Sequence, residues 1–535
     1  MKKIKYIALS LLTLGMVACE NELVQDLRDL NNDEGEPLPE LTAGTADFSN
    51  FVAVGASFTA GFTDNGLFIA SQENSFPNIM ANKFAKTGGG VFTQPMMNDN
   101  FGGLIVGGNP VIHPVTGDRL FTERLVFGGA GPVPLQSINP TAMSTTDFAL
   151  NNPTGPFNNL GIPGAKSFHL VAPGYGNISN FPEAANPYAI RVTGSTPNAS
   201  ILELAMAQNP TFFTLSEIGG NDVLGYATSG GESDINSPNY NPITDTATFD
   251  FALNALVTGM TANGAKGAIG NLPNITSFSF FTTVPNNALD VDAETAANLT
   301  GFFQAVAGIF SQGLIQQGVP LAQAEALAAQ YAISFNEGPN RFLIDVPVIP
   351  ENPLGFRQMT EDELLVLTID QDALAQGYGS VVLTPEVLQV LGILQAGGTP
   401  TPEQAGLVLA AISGIDDGDA LDSDEIAEIA GATAAYNSSI EAITIAHGLA
   451  LVDLNSILNE ASTMGIDFDD YNLNTDLVFG GLVSLDGVHL TARGYALMAN
   501  SFLKAIDDTY GSNFEASGNL AKAGDYPTNY SPLLQ

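Results

Sequence analysis

Tryptophan is absent, cysteine occurs once in 535 residues, and basic side chains are scarce, 16 Lys and Arg against 56 Asp and Glu. With one thiol, no intrachain disulfide and no cysteine-based zinc site can form, so stability has to come from burial. The formal charge of -40 repels phosphate backbones and anionic headgroups, which excludes a nucleic-acid partner. The missing indoles count against a carbohydrate module built on stacked tryptophans, although 13 Tyr leave stacking through other rings open. After residue 17 no apolar run approaches 18 residues, so the sequence contains no transmembrane helix beyond its N-terminal segment. Hydrophobic residues at 45% with charged ones at only 13% fit a packed globular chain rather than a disordered one.

The first nineteen residues have a distinct composition. Lys2, Lys3 and Lys5 precede an apolar stretch from Ile7 to Val17, which ends in Ala18-Cys19 and then Glu20-Asn21-Glu22. This is the layout of a secretion signal, too short to span a bilayer. Leu14-Gly15-Met16-Val17-Ala18-Cys19 resembles a bacterial lipobox, with Met16 where Leu is usual. That resemblance implies acylation of Cys19, which becomes the new N-terminus and anchors the chain to a membrane of the cell envelope, the outer membrane being the expected one. Residues 20–49 read as an acidic tether with Pro37 and Pro39. The folded body is expected over 50–510 and a C-terminal tail over 511–535.

Within the body, strand and helix signals alternate. Phe51 to Val54 is an unbroken apolar run of the kind buried on both faces of a sheet. Phe76, Ile79, Met80 and Phe84 then recur at helical spacing behind Ser75 and Pro77. A helix from Ile201 leads to the strand in "TFFTLSEIGGND", and "GAKGAIGNLPN" supplies a third strand. Asp422 and Glu425 form a capping box for a helix through Ala446, followed by the strand in "LALVDLN" and a closing helix from Thr491 to Ile506. This order predicts an α/β fold with a parallel sheet covered by helices. Two insertions interrupt it. The first, about 87–157, is rich in Gly, Pro and Asn, with a hairpin expected at Pro114 to Asp118. The second, about 285–421, reads as largely helical, and its stripe from Leu299 to Phe310 has the spacing of a packing face.

Chemistry collects at the ends of these strands, where parallel α/β sheets place their working groups. Ser57 follows the first strand, Asn221-Asp222 follow Gly219-Gly220, and Asp486 stands three residues before His489. In an Asp-x-x-His turn the carboxylate can accept from Nδ1, leaving Nε2 free to take the proton of a serine hydroxyl. An oxyanion formed at Ser57 would need donors in place. The Ser57 N–H and the Asn221 amide can supply two, and a third is expected at Gly164, at the start of a possible helix. Alone, Ser57 reads as a strand-end hydroxyl; the joint pattern favours a nucleophile. His113, His169 and His447 have no Asp three residues earlier and read as structural, and Asp453 is a weaker competitor for the base. The run Asp416-Asp417-Gly418-Asp419 lacks the calcium-loop pattern and reads as a solvated turn.

Gly55-Ala56-Ser57-Phe58, Gly164, Gly219-Gly220-Asn221-Asp222 and Asp486-Gly487-Val488-His489 resemble, in order, the four blocks of the SGNH, or GDSL-type, lipase and acylhydrolase family. The resemblance implies a three-layer αβα, flavodoxin-like fold and serine ester hydrolysis without metal or cofactor. It casts Ser57 as nucleophile, His489 as base, Asp486 as its partner, and Ser57, Gly164 and Asn221 around the oxyanion. The chain departs at Ala56, where the family carries Asp. Acyl lipids and acylated glycans both remain open as substrates. A lipoprotein of hydrolase-like fold that binds a ligand without turning it over is the alternative reading.

Overall fold

The structure, a computed structural model, describes residues 37–113 and 116–535. The signal segment with Cys19, most of the acidic tether, and Pro114-Val115 of the expected hairpin lie outside the described residues.

Strand β1 (Phe51–Gly55) is buried at every position and passes directly into the one-turn helix α1 (Ser57–Ala60). Then follow α2 (Phe76–Phe84), β2 (Asn159–Gly161), α3 (Ile201–Met206), β3 (Phe212–Ser216) and α4 (Gly220–Thr228). The chain continues with α5 (Thr246–Thr261), β4 (Lys266–Gly270), α6 (Ala293–Gln316), α7 (Ser423–His447), β5 (Ala450–Val452), α8 (Leu454–Thr463) and α9 (Ala492–Tyr510). The five strands form one parallel sheet in the order β2-β1-β3-β4-β5. This is a doubly wound order, and it makes the carboxyl ends of β1 and β3 the switch point at which such sheets bind ligands. Gly55 pairs with Gly161 on one side and Ser216 on the other, so these three strands end level.

Helices pack in two groups, α2 with α9, and α3 with α5 and α7, compatible with a helix layer on each face of the sheet. In the first group Phe76 stacks on Phe502 at 5.0 Å, while Phe84 and Tyr510 meet Phe212 of β3. In the second, Phe249 stacks on Tyr436 at 4.1 Å. The expected capping box forms, with Asp422 accepting from first-turn N–H groups; Ser200 and Thr491 also each accept from a first-turn N–H. Ser75 occupies the capping position of α2, but its hydroxyl bonds Gln94 instead of the helix. No helix among the described residues is long and apolar enough to cross a membrane.

The structure adds to the sequence reading in three places. It contains a fifth sheet strand, β2, only three residues long. The second insertion is not largely helical: two-stranded ladders such as Leu343–Asp345 with Phe356–Gln358 accompany α6 and its neighbours. Some of those elements, including the strands of Leu343 and Phe356, close a core of their own, in which Leu299, Phe302, Phe303 and Val306 meet Tyr331 and Phe356. The ends of the body are packed further out than their composition suggests. Phe48, within the segment read as tether, stacks on Phe84 at 3.9 Å, and Tyr530, within the tail, meets Phe68 at 4.9 Å. In the first insertion, His113 N–H donates to the Asp118 carbonyl at 2.7 Å.

Candidate active site

Ser57 is the first residue of α1 and is buried. A helix leaves its leading N–H groups unpaired, and here a carboxylate from the end of β3 takes two of those around Ser57. Glu217 Oε1 accepts from the N–H of Ala56 at 2.6 Å and of Thr59 at 3.0 Å. The N–H of Ser57 itself has no partner among the described residues and stays open to a ligand. Glu217 achieves this from a left-handed backbone, φ +45°, a costly conformation that persists where surroundings enforce it. Burial pushes its carboxyl up to about 7 against the lowering effect of the neighbouring N–H groups and of the Ser216 and Thr59 hydroxyls. This residue escaped the sequence reading. The signal was a lone Glu directly after the buried strand, two residues before Gly219-Gly220.

Asp486 and His489 form the expected turn. Asp486 Oδ1 accepts the backbone N–H groups of Val488 at 2.9 Å and His489 at 2.8 Å, while Oδ2 lies 2.9 Å from His489 Nδ1 and accepts Asn65 N–H at 2.8 Å. Burial pushes the Asp486 carboxyl up, but the imidazole beside it and these N–H donors outweigh burial and hold it well below the usual carboxylate range. With Nδ1 donating to an ionised carboxylate, Nε2 is the ring's acceptor.

The turn is fastened to the segment that follows Ser57. Asp64 donates its N–H to Ser484 Oγ and accepts that of Leu485, both at 3.1 Å. Tyr495 donates to the Phe62 carbonyl at 2.6 Å, and Phe62 N–H donates to the Ser57 carbonyl at 2.9 Å. The His489 ring lies 4.7 Å from that of Phe62 and 5.7 Å from that of Phe58. Ser57 and Val488 line one cavity. The segments that carry the nucleophile and base candidates, 432 positions apart in the numbering, are thus joined at one corner of the sheet. No hydrogen bond joins Ser57 Oγ to His489 Nε2 among the described residues, and such contacts are often loose before a substrate arrives.

Asn221 also lines the Ser57 cavity. Gly219 precedes α4 at φ +102°, and a Cβ there would sit 2.7 Å from the Phe249 ring, so the turn admits only glycine. Asn221 Nδ2 donates to the Ala165 carbonyl at 3.0 Å, leaving its second N–H for the cavity. Asp222 faces inward and accepts from the N–H and hydroxyl of Ser167, both at 2.7 Å; burial nevertheless raises its carboxyl pKa. Gly164 corrects an expectation: it stands in a turn after β2 at φ +78°, and the next helical turn starts only at Ser167. It lines a second, larger cavity with Phe62 and Tyr188 and is joined to the Ser57 cavity through the Ala165–Asn221 bond.

The other candidates are held elsewhere. His169 stacks on Tyr175 at 4.5 Å and accepts Lys166 N–H, and burial brings it down to about 4. His447 ends α7, 3.4 Å from Thr261 Oγ1, and His113 accepts the N–H of Thr116 in its own turn. Asp453 caps α8 and accepts from Ser456 and Asn271. In the acidic run, Asp419 accepts from the Tyr378 hydroxyl and Asp422 caps α7. Ser57 and Asn221 line one cavity, which the Asp486–His489 turn reaches through Val488; together these residues supply a hydroxyl, two donors and an oriented base, which is the equipment of acyl transfer. Comparison of the chain with protein-family models, curated proteins and solved structures returns no match.

Proposed function

We propose that this protein is a serine carboxylic ester hydrolase of the SGNH, GDSL-type fold, anchored through Cys19 in the cell envelope. The observation that carries this reading is the Asp486–His489 pair fastened by Asp64 and Asn65 to the segment that begins at Ser57. His489 Nε2 takes the Ser57 proton as Oγ adds to the ester carbonyl. The oxyanion receives the Ser57 N–H and the free N–H of Asn221, with the Gly164 N–H as third donor. Collapse expels the alcohol, which leaves with the proton from His489, and water then releases the acid from the acyl-serine by the same route.

A fluorophosphonate probe is expected to label Ser57, and Ser57→Ala to lose both labelling and aryl-ester hydrolysis. Undiminished hydrolysis in that variant rejects the proposal. The second reading, a lipoprotein that binds an ester without cleaving it, draws on the missing Ser57–His489 hydrogen bond. It requires an intact bound ligand and an unlabelled serine.

A further inference from the structure

Two cavities of very different size lie beside the corner that carries Ser57 and His489. The smaller, about 40 Å³, is bounded by Ser57, Asn221, Leu224, Leu272, Phe278 and Val488. Behind it lies a second apolar cavity, also about 40 Å³, enclosed by side chains such as Leu458, Leu482, Leu497 and Met498. Phe58 and Phe278 line both, and their rings meet edge-to-face at 6.4 Å, so this pair is the partition between them. The wide cavity, about 520 Å³, is walled by Phe62, Phe121, His169, Tyr175, Phe181 and Tyr188. No Lys or Arg lines it, and its one acidic residue is Glu183. Phe62 carries the wide cavity up to the imidazole, 4.7 Å away.

The imidazole is the group that returns a proton to the departing alcohol. The cavity on its side therefore takes the alcohol, and the cavity beside Asn221 takes the acyl group. A water-sized group needs about 10–15 Å³, so the small cavity holds about three such groups, an acyl chain of about two to four carbons. Flat aromatic walls favour a ring-bearing partner, and a chain of charge -40 with no cation in this cavity disfavours an anionic one.

We infer that the substrate is a short-chain ester, of acetyl to butyryl size, of a bulky uncharged ring alcohol, with the Phe58–Phe278 partition setting the limit on acyl length. This rests on the ester-hydrolase reading above. In the reaction the Ser57 hydroxyl adds to the acyl carbonyl, the ester C–O bond breaks, the alcohol departs with the proton held by His489, and water releases the short acid.

The test measures kcat/KM of the full chain on p-nitrophenyl acetate, butyrate, octanoate and palmitate, with fluorophosphonate labelling run in parallel. The expected result is a maximum at acetate or butyrate and at least a tenfold fall by octanoate. In Phe278→Ala, which joins the two apolar cavities, the octanoate-to-acetate ratio should rise at least tenfold. Phe278→Leu opens the partition less drastically and should shift the ratio the same way if the alanine variant fails to fold. Acetate release from an acetylated disaccharide, compared with aryl acetates, tells a sugar from an aryl alcohol. Tyr188→Ala should raise KM for the acetate of the ring alcohol that fits by a larger factor than KM for methyl acetate. A labelled Ser57 with a maximum at octanoate or palmitate overturns this inference alone; an unlabelled Ser57 and no hydrolysis overturn the reading beneath it.

Discussion

Two carboxyls at the turn that carries His489 are set to different protonation states by what surrounds them. Asp486 collects an imidazole and three backbone N–H groups and is held low. Asp64, tied to the same turn, has burial as its largest influence, opposed by Leu485 N–H and reinforced by the nearby Asp486, and is pushed up to about 7. Two like charges this close are not both favoured, and the surroundings assign the negative one to the position that orients the base. In Asp486→Asn the amide can still accept from backbone N–H groups, but an NH₂ facing Nδ1 donates to it and moves the ring proton to Nε2. The base then has no lone pair for Ser57. A fall in kcat on the order of 10⁴-fold is expected, the scale of a wrong tautomer, with little loss of folded structure by circular dichroism. A fall under about tenfold would remove Asp486 from the mechanism.

At the scale of elements, α1 has a single turn and cannot hold itself together by its own hydrogen bonds. Its position comes from Glu217, whose one oxygen bonds Ala56 and Thr59 across 161 and 158 positions of sequence. Because Glu217 has a folded-state pKa of about 7 against an ordinary 4.5, the native state binds the extra proton between those values. Its contribution to stability is therefore complete below about pH 4.5 and is lost as pH rises through about 7, a difference of roughly 3 kcal/mol. Asp64 adds a decline of the same sign. Glu217→Gln keeps the acceptor and cannot ionise, so its melting temperature should fall less between pH 5 and 8 than that of the parent. Parallel curves would show that Glu217 does not titrate in this window. The sequence makes four of the five sheet strands legible because β1, β3, β4 and β5 are apolar runs with turn signals at their ends. Strand β2, Asn159-Leu160-Gly161, has one apolar residue and exists through its pairing with β1. The Ser57, Asn221 and Asp486–His489 placements were legible because each sits in a turn whose local spacing carries its meaning. Glu217 and Asp64 were not, because they act on residues far away in sequence.

Across the whole molecule, the second insertion reaches the candidate site through backbone contacts. Part of it, around Phe303, has a core separate from that of the sheet, while another part, with Phe342, Leu365 and Val366, joins the sheet's core. From the part that joins the sheet's core, Leu367 donates its N–H to the Phe280 carbonyl at 2.7 Å, and Phe280 donates to the Gly487 carbonyl at 2.9 Å, inside the Asp486–His489 turn. Gly487 stands at φ +79°, and a Cβ there would lie 2.9 Å from the Phe280 backbone nitrogen. The insertion thus has two separable attributes, a folding unit of its own and a brace on the base. Phe303→Ala empties a fully buried position and should cost about 3–5 kcal/mol, seen as lost amide-exchange protection over 293–306 and 343–358 while β1 and β3 stay protected. Gly487→Ala should leave that protection in place, since its strain falls on the brace alone, yet lower kcat for aryl acetates by more than tenfold by displacing His489. If both variants lower kcat equally and both lose protection in the insertion, the two units fold as one, and the insertion is part of the site's foundation rather than a brace laid against it.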